Sequence, residues 1–140
     1  MTYYKLGVQC VGTLDTIEDE DTDEIVGEEL VLDNWPEDDI LCGMGRGHFV
    51  TRRLADALSE SGLTGFETKP VKVVDGEQFF VCRKTHSDES IPEILQLKLT
   101  GIAGKDDFGR DKLMVVSQRA MDLLKKFSLK YSMVKEYAPV

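Results

Sequence analysis

The sequence predicts an α+β domain: mixed, largely antiparallel sheet with two short packed helices. Three observations predict it. Short apolar or alternating runs, each bounded by Gly, Pro or Asp, recur along the chain and read as strands. Only two stretches carry a helical stripe, "TRRLADAL" at 51–58 and "SQRAMDLL" at 117–124. Those two stretches also resemble each other, so the architecture includes a degenerate strand–helix–strand duplication.

Each element follows from local chemistry. Residues 3–11 ("YYKLGVQCV") alternate loosely and carry aromatics, so they read as a strand. "TLDTIEDEDTDE" at 13–24 is too charged to pair quietly in a sheet and reads as an exposed loop. "EELVLD" and "ILCG" are short strands on either side of the "NWPEDD" turn, where Pro36 stops any element. "MGRGH" is a glycine-rich turn. In the first helix Leu54, Ala57 and Leu58 form an i, i+3, i+4 stripe, matched by Ala120, Leu123 and Leu124 in the second. Thr51 and Ser117 stand where each helix starts, with hydroxyls suited to cap a free amide. Between the copies "EQFFVCRK" at 77–84 reads as a strand entered through the Asp75-Gly76 turn, and "EILQLKLTG" as a half-buried one. Extended segments ending in Pro70-Val71 and Pro139-Val140 close the two units, at 47–73 and 112–140. The whole chain, 1–140, reads as one domain, long enough to bury a single core without disulfides.

Charge is unevenly placed. Net charge is −9, yet between Asp15 and Asp39 there are 13 acidic residues and no Lys or Arg. The other 13 acidic residues face all 17 basic ones, so the rest of the chain is about +4. A broad nucleic-acid-binding face is excluded, since the overall field repels phosphate and no dense basic patch is visible. No apolar run reaches the roughly 18–20 residues needed to span a bilayer. "MTYYKLGVQC" lacks the cationic flank and cleavage site of a secretory signal. Cys10, Cys42 and Cys82 are odd in number and far apart, the usage of reduced, mostly buried thiols in the cytosol.

Candidate chemistry is sparse. "CGMGRGH" at 42–48 precedes a helix, and Arg46, Arg52 and Arg53 beside that N-terminus make an anion site conceivable for a phosphorylated metabolite. The segment has neither a P-loop ending nor the dinucleotide fingerprint, so a flexible turn is the plainer reading. "DEDTD" at 19–23 begins like a calcium loop, but Glu24 stands at the sixth position and Leu30 at the twelfth, where glycine and a bidentate Glu belong. Neither Cys82-x3-His86 nor Cys42-x5-His48 is a zinc spacing, although a Cys–His nucleophile pair is assembled in space and not in sequence. No cofactor or metal is implied. Arg53 and Arg119 oppose the helix macrodipole, and the nearest compensating anions are Asp56 and Asp122, one turn on.

The order of segments resembles a family. "PEDDILCG", "HFVTRRLADALSESGLTGFETKPVKV", "EQFFVCRK", "EILQLKLTG" and "KDDFGRDKLMVVSQRAMDLLKKF" are similar to the immunity proteins of bacterial polymorphic toxin systems, over roughly residues 35–135. The residues that carry it are Val116-Ser117 with Arg119, Gly62 to Phe66 with Pro70-Val71, and Asp107-Phe108. The resemblance implies a cytosolic, non-enzymatic protein that silences a cognate toxin by stoichiometric binding. The charge pattern adds a face for a basic partner, made of Glu18, Asp19, Glu20, Asp21, Asp23 and Glu24 together with Glu37, Asp38 and Asp39.

Overall fold

The computed structural model describes residues 2–44, 46–86 and 89–138. Eleven strands and three helices are present among them. Tyr3–Gly7 (β1) and Gln9–Glu18 (β2) open the chain, followed by Ile25–Leu32 (β3), Ile40–Gly43 (β4) and His48–Thr51 (β5). Arg52–Ser61 (α1) leads to Phe66–Pro70 (β6), Lys72–Asp75 (β7) and Phe79–Thr85 (α2). Ile94–Leu99 (β8), Phe108–Asp111 (β9), Leu113–Ser117 (β10), Gln118–Leu124 (α3) and Met133–Tyr137 (β11) complete it. The mixed, largely antiparallel α+β class is the observed one.

A four-stranded sheet has the order β11-β1-β10-β9 and is antiparallel throughout. A seven-stranded sheet has the order β6-β8-β5-β4-β2-β3-β7, with β2 parallel to β4 and β3 parallel to β7. Strand alternation distributes side chains between two cores. From β4, β5 and β8, the residues Ile40, Val50, Leu95 and Leu97 join Leu6, Phe108 and Met114, and the helix residues Leu54, Leu58, Met121 and Leu124, in one core. Their neighbours Leu41, Phe49 and Ile94 point the other way, into a core with Leu14, Leu30, Leu32, Trp35 and Phe79. These strands are buried on both faces, which is why they read as nearly continuous apolar runs.

Around α1 and α3 the strand pairing is similar, in a form that the sequence spacing does not reveal. Unit one is β4-β5-α1-β6 and unit two is β9-β10-α3-β11. In each, a foreign strand sits between the second and the last strand. β8 pairs antiparallel with β5 and β6, and β1 pairs antiparallel with β10 and β11. A strand from the N-terminal half, β1, thus lies in the sheet of unit two, and β8, which directly precedes unit two, lies in the sheet of unit one. The registers equate Pro70, opposite Leu95, with Glu136, opposite Tyr4. The recurring proline-valine ends are therefore not equivalent, and Pro139-Val140 lie outside the described residues.

Two expected elements differ. Thr13–Glu18, expected as a loop, continues β2, and the loop shrinks to the tip of a long β2–β3 hairpin. At the base of that hairpin the strands approach so closely that a Cβ on Gly12 would lie 1.8 Å from the Val31 carbonyl oxygen, so only glycine fits. "EQFFVCRK", expected as a strand, forms α2 instead. Tertiary packing outweighs the β-propensity of Phe-Phe-Val. Phe79 and His86, seven apart on one helical face, both stack on Trp35, at 6.0 and 4.3 Å between ring centroids. Arg83 clamps the helix to Asp75 through two hydrogen bonds of 2.7 and 2.9 Å, while Phe80 and Val81 face solvent.

Candidate functional site

The residues singled out from sequence fall into three places. The first is a buried polar cluster under the start of α1. Asp39 is 4% exposed and accepts from the Thr51 hydroxyl at 2.6 Å, from Arg53 Nε and Nη2 at 2.8 and 2.5 Å, and from the Ser128 amide at 2.8 Å. A matching cluster lies under α3. Asp107 accepts from the Ser117 hydroxyl at 2.6 Å, from Arg119 Nε and Nη2 at 3.0 and 2.6 Å, and from the Thr64 amide at 2.9 Å. The two clusters are reciprocal. Ser128 follows α3 yet serves Asp39, and Thr64 follows α1 yet serves Asp107, so each carboxylate ties its own helix start to the other unit's helix end.

Both carboxyls are held below the usual carboxylate range. For Asp107 the hydrogen bonds from Arg119 are the largest cause; burial opposes them, and the Ser117 hydroxyl and Thr64 amide add to them. For Asp39 burial is the largest influence and acts upward, but the bonds from Arg53, Thr51 and Ser128 together outweigh it. Asp38 is equally committed, accepting from the Lys130 and Tyr131 amides at 2.8 Å each and from the Ser128 hydroxyl at 3.0 Å.

This arrangement corrects several expectations. Asp38 and Asp39 are internal and unavailable to a partner; Glu37 alone of that trio is exposed. Arg53 and Arg119 gain an ion pair, as the macrodipole argument requires, but with Asp39 and Asp107 rather than Asp56 and Asp122. Asp56 instead pairs with Arg52, which is also bonded to Glu93. Arg46 is elsewhere, 3.0 Å from Glu28 and donating to the Leu14 carbonyl at 3.0 Å. The set Arg46, Arg52 and Arg53 is thus not gathered around one anion, and each member already faces a carboxylate. Ser117 does cap α3, accepting from the Ala120 amide at 3.2 Å, whereas Thr51 makes no cap bond because its hydroxyl is turned to Asp39. A legible signal was missed: Asp38-Asp39-Ile40 and Asp106-Asp107-Phe108 recur at nearly the same distance ahead of the two arginines.

The second place is the end of the β2–β3 hairpin. Glu18, Glu20, Asp21, Asp23 and Glu24 are exposed there, beside the exposed side chains of Ile25 and Val26. Asp19 differs from its neighbours. Its carboxylate accepts from the Asp21 and Thr22 amides at 2.8 and 3.1 Å and so shapes the turn. Glu37 lies apart from this tip, near His86 at 3.7 Å.

The third place is the end of β5. Cys42 and His48 are register partners across β4 and β5. They do not form an activated pair. Burial, aided by Cys10, pushes the Cys42 thiol up to about 11, and burial, aided by Arg110, pushes His48 down to about 4. Both groups are neutral, the opposite of a thiolate–imidazolium pair. All three cysteines are free, and Cys10 is exposed rather than buried as expected.

Compared with protein-family models, with curated proteins and with solved structures, the chain has no match. Among the described residues no helix is long and apolar enough to cross a membrane.

Proposed function

We propose that this chain is an immunity-type binding protein that neutralises a cognate protein toxin in the cytosol by stoichiometric association, docking through the acidic end of its β2–β3 hairpin. One observation carries the reading. Five exposed carboxylates sit at the tip of a two-stranded arm with two exposed branched apolar residues, Ile25 and Val26, among them. An apolar centre rimmed by charge is the anatomy of a protein interface, in which the apolar groups supply affinity and the charges supply rate and selectivity. The partner that fits is basic, such as a nuclease whose phosphate-binding cleft the arm would occupy. The resemblance to immunity proteins supports the same reading. The residues that carry it, Asp107, Ser117, Arg119 and the segment around Thr64, meet in one buried cluster and serve the scaffold. Recognition then belongs to parts of the chain outside those residues, such as the arm.

The test is capture of the partner from native cells, followed by binding measured against a variant with Glu18, Glu20, Asp21, Asp23 and Glu24 changed to their amides. Asp19 is kept because it holds the turn. The association rate should fall by about tenfold or more at low salt, and its salt dependence should flatten. An unchanged rate with an unchanged salt slope would sink the proposal.

A further inference from the structure

We infer that the cleft at the open end of β5 and β8, formed by His48, Gln96, Lys98, Thr100, Arg110 and Lys112, binds a phosphate-bearing small molecule. Two adjoining hollows of about 350 and 210 Å³ share Gly47, His48 and Arg110 as lining. The larger is within the range of roughly 300–1,000 Å³ usual for small-molecule sites. The position follows from the topology. β5 begins at His48, opposite Leu97, so the last residues of β8 run on past it, and Arg110 of the other sheet closes the gap.

The charge of this place is unlike that of the molecule. In a chain of net charge −9, Lys98 lines the larger hollow, Lys112 the smaller and Arg110 both, and among the described residues none of the three makes an ion pair. Glu67 stands opposite Lys98 in the β6–β8 register without pairing with it. Asp111, next to Arg110, instead accepts from the Tyr137 hydroxyl at 2.7 Å. The fourth cation of the lining, Arg46, is held back by Glu28. Arg110, common to both hollows, with Lys98 in the larger and Lys112 in the smaller, suits a group bearing nearly two charges on several oxygens better than a single carboxylate.

Neutral polar groups complete the lining. Gln96, 7% exposed, lines the larger hollow beside Thr100. The His48 ring, held neutral by burial and by Arg110, keeps one N–H to donate. Backbone conformation points the same way. Lys112 forms the β9–β10 turn with a φ of 67°, where glycine or asparagine would be easier. Gly47, at a φ of 85°, brings bare backbone to the rim.

The experiment is a titration of the intact, isotope-labelled chain with inorganic phosphate at pH 7, against sodium chloride at equal ionic strength. Phosphate should shift the His48 ring and Gly47 amide signals saturably and raise the melting temperature, and chloride should not. Arg110→Gln and Lys98→Gln should each weaken binding by about tenfold, as the loss of one charge-assisted hydrogen bond requires. Lys112→Gly should weaken phosphate binding while raising the melting temperature of the free protein. A sugar phosphate should bind at least as tightly as the free ion, because the cleft is larger than the ion; weaker binding would overturn the small-molecule assignment. Shifts that grow linearly and match those from chloride, or an Arg110→Gln variant that binds as the parent does, would overturn the site itself.

Discussion

Asp39 and Asp107 each satisfy a hydroxyl, a guanidinium and a distant backbone amide at once, whereas their arginines are more than half exposed. Removing the two kinds of partner should therefore cost unequal amounts. Asp107→Ala strands a buried hydroxyl and the Thr64 amide and should cost about 3 kcal/mol, whereas Arg119→Gln removes a largely solvated charge and should cost clearly less. Denaturant titration of the two variants decides it; equal losses would mean the ion pair, not the amide and hydroxyl bonds, holds the cluster. The same carboxyls predict acid sensitivity. Both are held lower in the folded state than in the unfolded chain, where a carboxyl titrates near 4. Their contribution is complete above about pH 4 and drains away as pH falls below it, because the unfolded chain then binds more protons. The double variant Asp39→Asn, Asp107→Asn should be less stable at neutral pH and lose less on acidification to pH 3; a parallel pH profile would place the acid response elsewhere. Sequence reasoning reached the need of Arg53 and Arg119 for anions, since that is a local rule. It missed the partners because a carboxylate 12 or 14 positions earlier is brought close by a hairpin, which helix spacing cannot reveal.

At the scale of elements, legibility tracked how far each one depends on distant contacts. β8 and the stripes of α1 and α3 were readable because burial imposes the alternation or periodicity directly. α2 was not, because Phe79, Cys82 and His86 become one face only when Trp35, more than 40 residues earlier, is there to receive them. The acidic run disguised the outer half of β2, since solvated strands of a projecting hairpin need no apolar face. The two helix starts give a sharper comparison. Ser117 donates to Asp107 and also accepts from Ala120, whereas Thr51 only donates. Ser117→Ala should then cost about 1 kcal/mol more than the isosteric Thr51→Val, the usual worth of an N-cap. Thermal denaturation of the pair measures the difference; equal costs would show that the cap bond contributes nothing beyond the bond to Asp107.

At the scale of the molecule, the exchanged strands decide how the chain folds. β1 is interior to the four-stranded sheet and β8 is interior to the first unit's sheet, so neither unit holds a complete set of its own strands. Each buried carboxylate repeats the exchange, taking an amide from just beyond the helix of the other unit. A chain divided between residues 86 and 87 therefore yields two pieces that each lack the strand bridging their sheet. With β8 gone, β6 has no neighbour to pair with; with β1 gone, β11 has none. Such unpaired strands leave backbone groups and apolar faces that small fragments cannot stabilise by themselves. Fragments 1–86 and 87–140 should each be largely unfolded alone, and an equimolar mixture should regain strand signal in far-ultraviolet circular dichroism. The emission of Trp35 should shift to the blue in the mixture, because Ile94 from the other fragment completes the core in which it packs. A fragment that folds alone, with slowly exchanging amides in α1 or α3, would show that the units are autonomous and that the strand exchange joins two finished halves.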